Sequence, residues 1–244
     1  MMLARVLKPD RSWESRVGSI IQIGMLAAVA ATYSGCPHHK HVELFNGDDL
    51  TGWFISTTTG HGDTMGWSVQ DGHIEGMQDS PGNGGVLLTD ATFGDFYVQA
   101  DVMPDEGMDS GLFLRSTESG AAYQITIDLV ENGTIGCVFG EGLDTGFLFR
   151  NDDWRDAYRP DDWNTIGASI QGNPPRINVW INGKHMVSWE DTEVRLPNTG
   201  HIGLQVHGGE VFDGFKMRAR HVFIKPLQHR VGSLCHDSTI ADGG

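Results

Sequence analysis

RINVWINGKHMVSW, Arg176 to Trp189, is a β-hairpin that can be read from the sequence alone. Ile177, Val179 and Ile181 share one parity and can enter a core, while Arg176, Asn178 and Trp180 share the other. Asn182-Gly183 suits the two positive-φ positions of a type I′ turn, and Lys184 to Trp189 is the returning strand. The same pattern recurs upstream. Phe96, Val98, Ala100 and Val102 alternate with Tyr97, Gln99 and Asp101, and Asp71-Gly72 joins Trp67–Val69 to His73–Glu75. The whole run from Val42 to Leu227 predicts about 11 to 13 strands and no long helix. These observations define an all-β chain, a two-sheet antiparallel β-sandwich.

Composition agrees with that class. The 244 residues include 33 Gly and 7 Trp, with 39% hydrophobic content. Many short strands joined by tight turns need such a profile. Trp53, Trp67, Trp163 and Trp189 are expected in the core. The formal charge is −15, and the first 35 residues carry a small basic excess, which leaves the remainder near about −17. A surface so acidic repels nucleic acid and anionic lipid, and suits neutral sugars or cations.

Residues 1–35 read as a signal segment. Arg5, Lys8, Arg11 and Arg16 precede an apolar run from Val17 to Thr32 that is short for a membrane span. Tyr33-Ser34-Gly35-Cys36 resembles a bacterial lipobox, with Cys36 as the lipidated residue, although Tyr33 replaces the usual aliphatic side chain. Lipoprotein export, an uncleaved anchor and ordinary secretion are the alternatives; each places the domain outside the cytoplasm. Residues 36–41 form a tether, 42–227 the sandwich and 228–244 a loose tail. His38, His39 and His41 are expected to be solvated rather than a metal site. Cys137 and Cys235 could pair in an oxidising compartment, but spacing does not decide it.

The functional reading starts from GHIGLQVHG, Gly200 to Gly208. Ile202, Leu204 and Val206 point one way, and Gln205 and His207 the other. In Gly111 to Arg115 the core parity falls to Leu112 and Leu114, leaving Phe113 and Arg115. In Tyr123 to Asp128 the polar parity holds Gln124, Thr126 and Asp128. If these three strands are neighbours, Arg115, Gln124, Asp128, Gln205 and His207 line one polar groove. Strand order is not readable from parity. Asp109-Ser110 reads as turn chemistry before a strand.

The segments ELFNGDDLTGW (Glu43 to Trp53), WSVQDGHIEG (Trp67 to Gly76), DSGLFLR (Asp109 to Arg115), YQITID (Tyr123 to Asp128), DWNTI (Asp162 to Ile166), WINGK (Trp180 to Lys184), GHIGLQVHG and MRARHVFIKPL (Met217 to Leu227) stand in an order that resembles the 3-keto-disaccharide hydrolase family. The resemblance implies a concanavalin A-like jelly roll, found typically in exported bacterial proteins, that acts on glycosides oxidised at the sugar 3-position. A C3 carbonyl acidifies the C2 proton, so one base can start elimination of the C1 substituent, and water addition completes hydrolysis. His207 is the expected base, with Asp128 orienting it or serving as the base itself. Arg115 would bind the developing oxyanion or a sugar hydroxyl, and Gln124, Gln205 and Thr126 would line the substrate subsite.

The family's strand usually reads Tyr-Glu-x-Gln, whereas Tyr123-Gln124-Ile125-Thr126 stands here. That departure keeps a second class open, a lectin-like carbohydrate-binding module of the cell envelope. Partners are therefore an oligosaccharide or an oxidised disaccharide, with the membrane reached only through the lipid and no nucleic acid. No cofactor is assigned, and a divalent metal is possible. The long connection Gly140 to Asp162, with Phe147, Phe149, Trp154 and Tyr158, could lid the groove and stack a sugar ring, or be a solvated excursion. Its acidic residues lack a recognised calcium-loop spacing.

Overall fold

The computed structural model describes residues 41–227. Fifteen strands form two sheets that face each other across the core, and every strand pairing is antiparallel. In spatial order the larger sheet holds β13 (Lys184–Glu190), β12 (Arg176–Ile181), β11 (Asn164–Gln171), β6 (Phe96–Val102), β15 (Met217–Pro226), β4 (His73–Gly76) and β3 (Trp67–Gln70). β1 (Val42–Glu43) adds to β15. The other sheet runs β10 (Gly146–Phe149), β9 (Ile135–Glu141), β8 (Ala122–Asp128), β7 (Asp109–Ser116), β14 (His201–Val206), β5 (Gly85–Thr89) and β2 (Trp53–Ile55). The strands beyond the expected number include β1 and β2, of two and three residues, too short to show a period.

Both predicted hairpins form. Asn182 and Gly183 take φ of 49° and 82°, and Asp71 and Gly72 take 46° and 77°, the left-handed pairs a type I′ turn requires. Val98, Ala100 and Val102 meet Leu112, Leu114, Ile125, Ile202 and Leu204 in one continuous core. Trp53 and Trp67 belong to that core and Trp189 packs against it. Trp163 departs from the expectation: it is half-buried beneath the Arg220 guanidinium, 4.1 Å from its ring, with His73 edge-on. Cys137 is buried against Asn151, whose amide donates to its sulfur at 3.2 Å. Cys235, Cys36, His38 and His39 lie outside the described residues, while His41 pairs with Glu43.

The long connection is not one loop. It contributes β10 to a sheet edge and a 3-10 turn, Asp153–Asp156. Phe147 packs edge-on against Phe139 on β9, whereas Trp154 and Tyr158 go to the core. Among the described residues no helix is long and apolar enough to cross a membrane.

Candidate active site

β7 lies between β8 and β14, so the three strands whose polar parities matter are direct neighbours. Their register pairs Asp109 with Asp128, Gly111 with Thr126 and Phe113 with Gln124. On the face turned from the core, Phe113 joins Val86, Leu88 and Ala122 in a small apolar cluster. Beside this cluster the polar residues gather.

Gln124 and Gln205 are buried, and the Gln124 Nε2 donates to Gln205 Oε1 at 2.9 Å. The Gln205 amide reaches His61 Nε2 at 2.8 Å, and that nitrogen lies 3.0 Å from Glu141 Oε1. The His61 ring meets the His207 ring at 4.6 Å between centroids. His207 Nε2 is 3.7 Å from Asp109 Oδ2. A chain of contacts thus runs from Gln124 through Gln205, His61 and His207 to the Asp109 carboxyl, with Asp128 the cross-strand neighbour of Asp109. Gln78 fixes the backbone beneath it, donating to the carbonyls of His207 and Gly209 at 2.8 and 2.9 Å.

Electrostatics separates the acids from ordinary surface carboxylates. Burial pushes the Asp109 carboxyl up to about 7, and the neighbouring charge of Asp128 adds to the effect. Burial also raises Asp128, against the opposing hydrogen bond from Val130 N–H at 3.0 Å. His207 moves the other way, lowered by burial and then by His61. At neutral pH the Asp109 carboxyl is therefore close to half-ionised beside an uncharged imidazole, which suits proton transfer in either direction.

The sequence expectations divide. Gln124, Thr126, Asp128, Gln205 and His207 share the face. The Thr126 hydroxyl is occupied by the sheet itself, accepting from Cys137 N at 3.1 Å and from the Thr134 hydroxyl at 3.0 Å. Arg115 is elsewhere. Its φ is 51° and the β7–β14 register shifts beside it, so the alternation breaks before the side chain that parity assigned to the groove. The guanidinium, 1% exposed, instead pairs with Asp95 at 2.8 Å and donates to the carbonyls of Gly94 and Gly172.

Sequence reasoning missed three members. Asp109 is the first residue of β7 and has the parity of Gly111 and Phe113, so alternation carried the signal although the residue reads as turn chemistry. Glu141 has the parity of Phe139 at the end of β9. His61 comes from an irregular loop with no period to reveal it.

Gly111 makes the amide contact possible. A Cβ built there would lie 2.5 Å from Gln124 Nε2 and Cγ. Gly111→Ala is expected to drive Gln124 off Gln205, costing about 1 to 3 kcal/mol from overpacking. A thermal melt and a turnover assay on the same sample check this, and unchanged values in both would contradict the contact's role.

Two antiparallel sheets packed face to face, with polar residues gathered on the outer face of one of them, have the architecture of a jelly roll. Residues 40–225 match the model of the 3-keto-alpha-glucoside-1,2-lyase-like domain, and the chain belongs to that family. Among solved structures it is similar to a Parabacteroides distasonis protein provisionally assigned as a glycosyl hydrolase, with TM-score 0.57 and 20% identity over 77% of this chain and 94% of that one. A Bacillus licheniformis β-glucanase follows at TM-score 0.55 and 16% identity, covering 77% and 98%. The exoplasmic/lumenal domain of VIP36, solved with Ca2+ and Man3GlcNAc, gives 0.50 and 12%, covering 78% and 89%. At these identities the three establish the fold. No curated protein matches the chain.

Proposed function

We propose that this protein cleaves 3-keto glycosides by elimination and hydration, with Asp109 and His207 as its proton-transfer pair. The observation that carries the reading is the Asp109 carboxyl, raised to about 7 and set 3.7 Å from His207 on the polar face. Ionised Asp109 takes the C2 proton, and the released electron pair forms the C1=C2 bond as the C1–O bond breaks. The departing oxygen takes up the proton that Asp109 has just accepted, relayed through the neutral His207 imidazole. Water then adds its oxygen to C1 while C2 regains a proton, so the net change is hydrolysis. Asp128 keeps the Asp109 carboxyl basic, and the Gln124–Gln205–His61 chain orients the groups around the sugar. Family membership supports the 3-keto substrate, and the jelly-roll neighbours support a sugar ligand in general.

We also propose, from the basic residues, the apolar run and the lipobox-like Tyr33-Ser34-Gly35-Cys36 of the sequence, that the domain works outside the cytoplasm, held at the envelope through a lipid on Cys36. A second reading, a carbohydrate-binding module, draws on Gln124, an amide where the family usually has an acid. Incubating the full chain with a 3-keto disaccharide, with and without divalent metal, and following free monosaccharide by NMR separates the two. Release of monosaccharide is the expected result. Saturable binding without release in either arm would favour the binding module and end the enzymatic reading.

A further inference from the structure

Two rings meet the His207 imidazole. His61 lies 4.6 Å away and is engaged by Gln205 and Glu141, whereas Phe212, 4.9 Å away between centroids, is half-buried and leaves part of its ring open. Phe212 is held where it stands. It ends a 3-10 turn, Glu210–Phe212, whose entry is fixed by Gln78: the Gln78 amide donates to the Gly209 carbonyl at 2.9 Å, and the Phe212 N–H donates to the same carbonyl at 3.1 Å.

The departing oxygen has to come to this place. The Gly208 carbonyl accepts from His207 Nδ1–H, so Nε2 is the nitrogen that faces Asp109 and hands over the proton. Transfer needs the leaving oxygen within about 3 Å of Nε2, and the atoms bonded to that oxygen then lie beside the Phe212 ring. The His207 side chain is 34% exposed, which leaves room for that approach.

The surroundings are apolar. Val211, next to Phe212, and Met65, on the loop that carries His61, are 77% and 72% exposed, the two highest values among the large hydrophobic side chains of the described residues. Their loops are tied together through adjacent residues, because Asp79 accepts from Met65 N–H at 2.9 Å and Gln78 holds Gly209. A single exposed apolar side chain is ordinary, but two on the loops that supply both imidazoles suit a surface that a ligand covers. From Gly208 to Phe212 the one side chain able to hydrogen-bond is Glu210. A sugar ring there would find few partners for its hydroxyls, whereas an aryl group needs none.

We propose that Phe212 determines specificity for the leaving group, with Val211 and Met65 extending its platform, and that it selects 3-keto glycosides of aromatic alcohols, a role that rests on the proton relay through His207 described above.

The test compares methyl and benzyl 3-keto-glucosides and a 3-keto disaccharide as substrates of the full chain, since methanol and benzyl alcohol are leaving groups of nearly equal acidity. The unaltered protein should cleave the benzyl glycoside with a kcat/KM about tenfold or more above that of the methyl glycoside. Phe212→Ala should erase the preference by lowering the benzyl value about tenfold more than the methyl value, and Val211→Ser should lower the same ratio. Thermal melts establish which variants are folded, and Val211→Ser, at an exposed position, supplies the reading if Phe212→Ala is not. No preference for benzyl in the unaltered protein, a preference that survives in folded Phe212→Ala or, failing that variant, in Val211→Ser, or a loss confined to the disaccharide would overturn the assignment while the elimination chemistry stands. Cleavage of none of the three substrates would remove the chemistry and the assignment together.

Discussion

Asp109→Asn is expected to abolish cleavage while making the fold more stable at alkaline pH. Removal of a general acid–base group typically costs about 10²- to 10⁴-fold in rate. The stability effect follows from the carboxyl's history on folding. In the unfolded chain Asp109 releases its proton near 3.8, and in the folded protein near about 7. Between those values the folded state binds more protons, so its stability falls as the pH rises from about 4 to about 7 and is level beyond. A displacement of that size corresponds to roughly 4 kcal/mol, borne by a side chain 24% exposed. Asparagine carries no such burden. Melting curves at pH 4 and pH 8 should therefore coincide more closely for the variant than for the unaltered protein, with the variant ahead at pH 8. A variant that still turns over, or one less stable at pH 8, would remove Asp109 from its assigned place.

Arg115→Ala is expected to have the opposite profile. Its guanidinium ties β7 to Asp95 and Gly94 before β6 and to Gly172 after β11, and so joins the two sheets at one end. Removing one partner of a buried ion pair costs about 3 to 5 kcal/mol, a fall of roughly 10 °C in Tm for a domain of this size. Activity per folded molecule should persist, because no part of the guanidinium reaches the polar face. Denaturant melts and active-site titration at low temperature check this. A stable but inactive variant would return Arg115 to the chemistry.

The contrast between these two residues marks where sequence reading succeeds. Alternation works while the backbone stays extended, which is why Gln124, Asp128 and Gln205 fall on the face their parity indicates. It fails at Arg115 because a single left-handed residue at a register shift reverses the bookkeeping, and nothing in DSGLFLR announces one. Asp109 carried the right parity, but an acid followed by a serine also caps turns, and burial is what distinguishes the two roles. His61 was out of reach, since its place depends on how a loop folds back over β14, where Gly208 leaves only backbone against it. The hairpins at Asp71-Gly72 and Asn182-Gly183 needed no tertiary information, because turn chemistry is local.

The most direct test of the proposed chemistry is the fate of the hydrogen at C2. Cleavage of a 3-keto disaccharide in D2O, with an enzyme-free control for spontaneous exchange, can be followed by NMR of the released 3-keto sugar. Elimination and hydration predicts deuterium at C2 of the product above the control, and little of either product or label with Asp109→Asn. Product that retains its original C2 hydrogen would contradict the elimination route and point instead to direct displacement at C1.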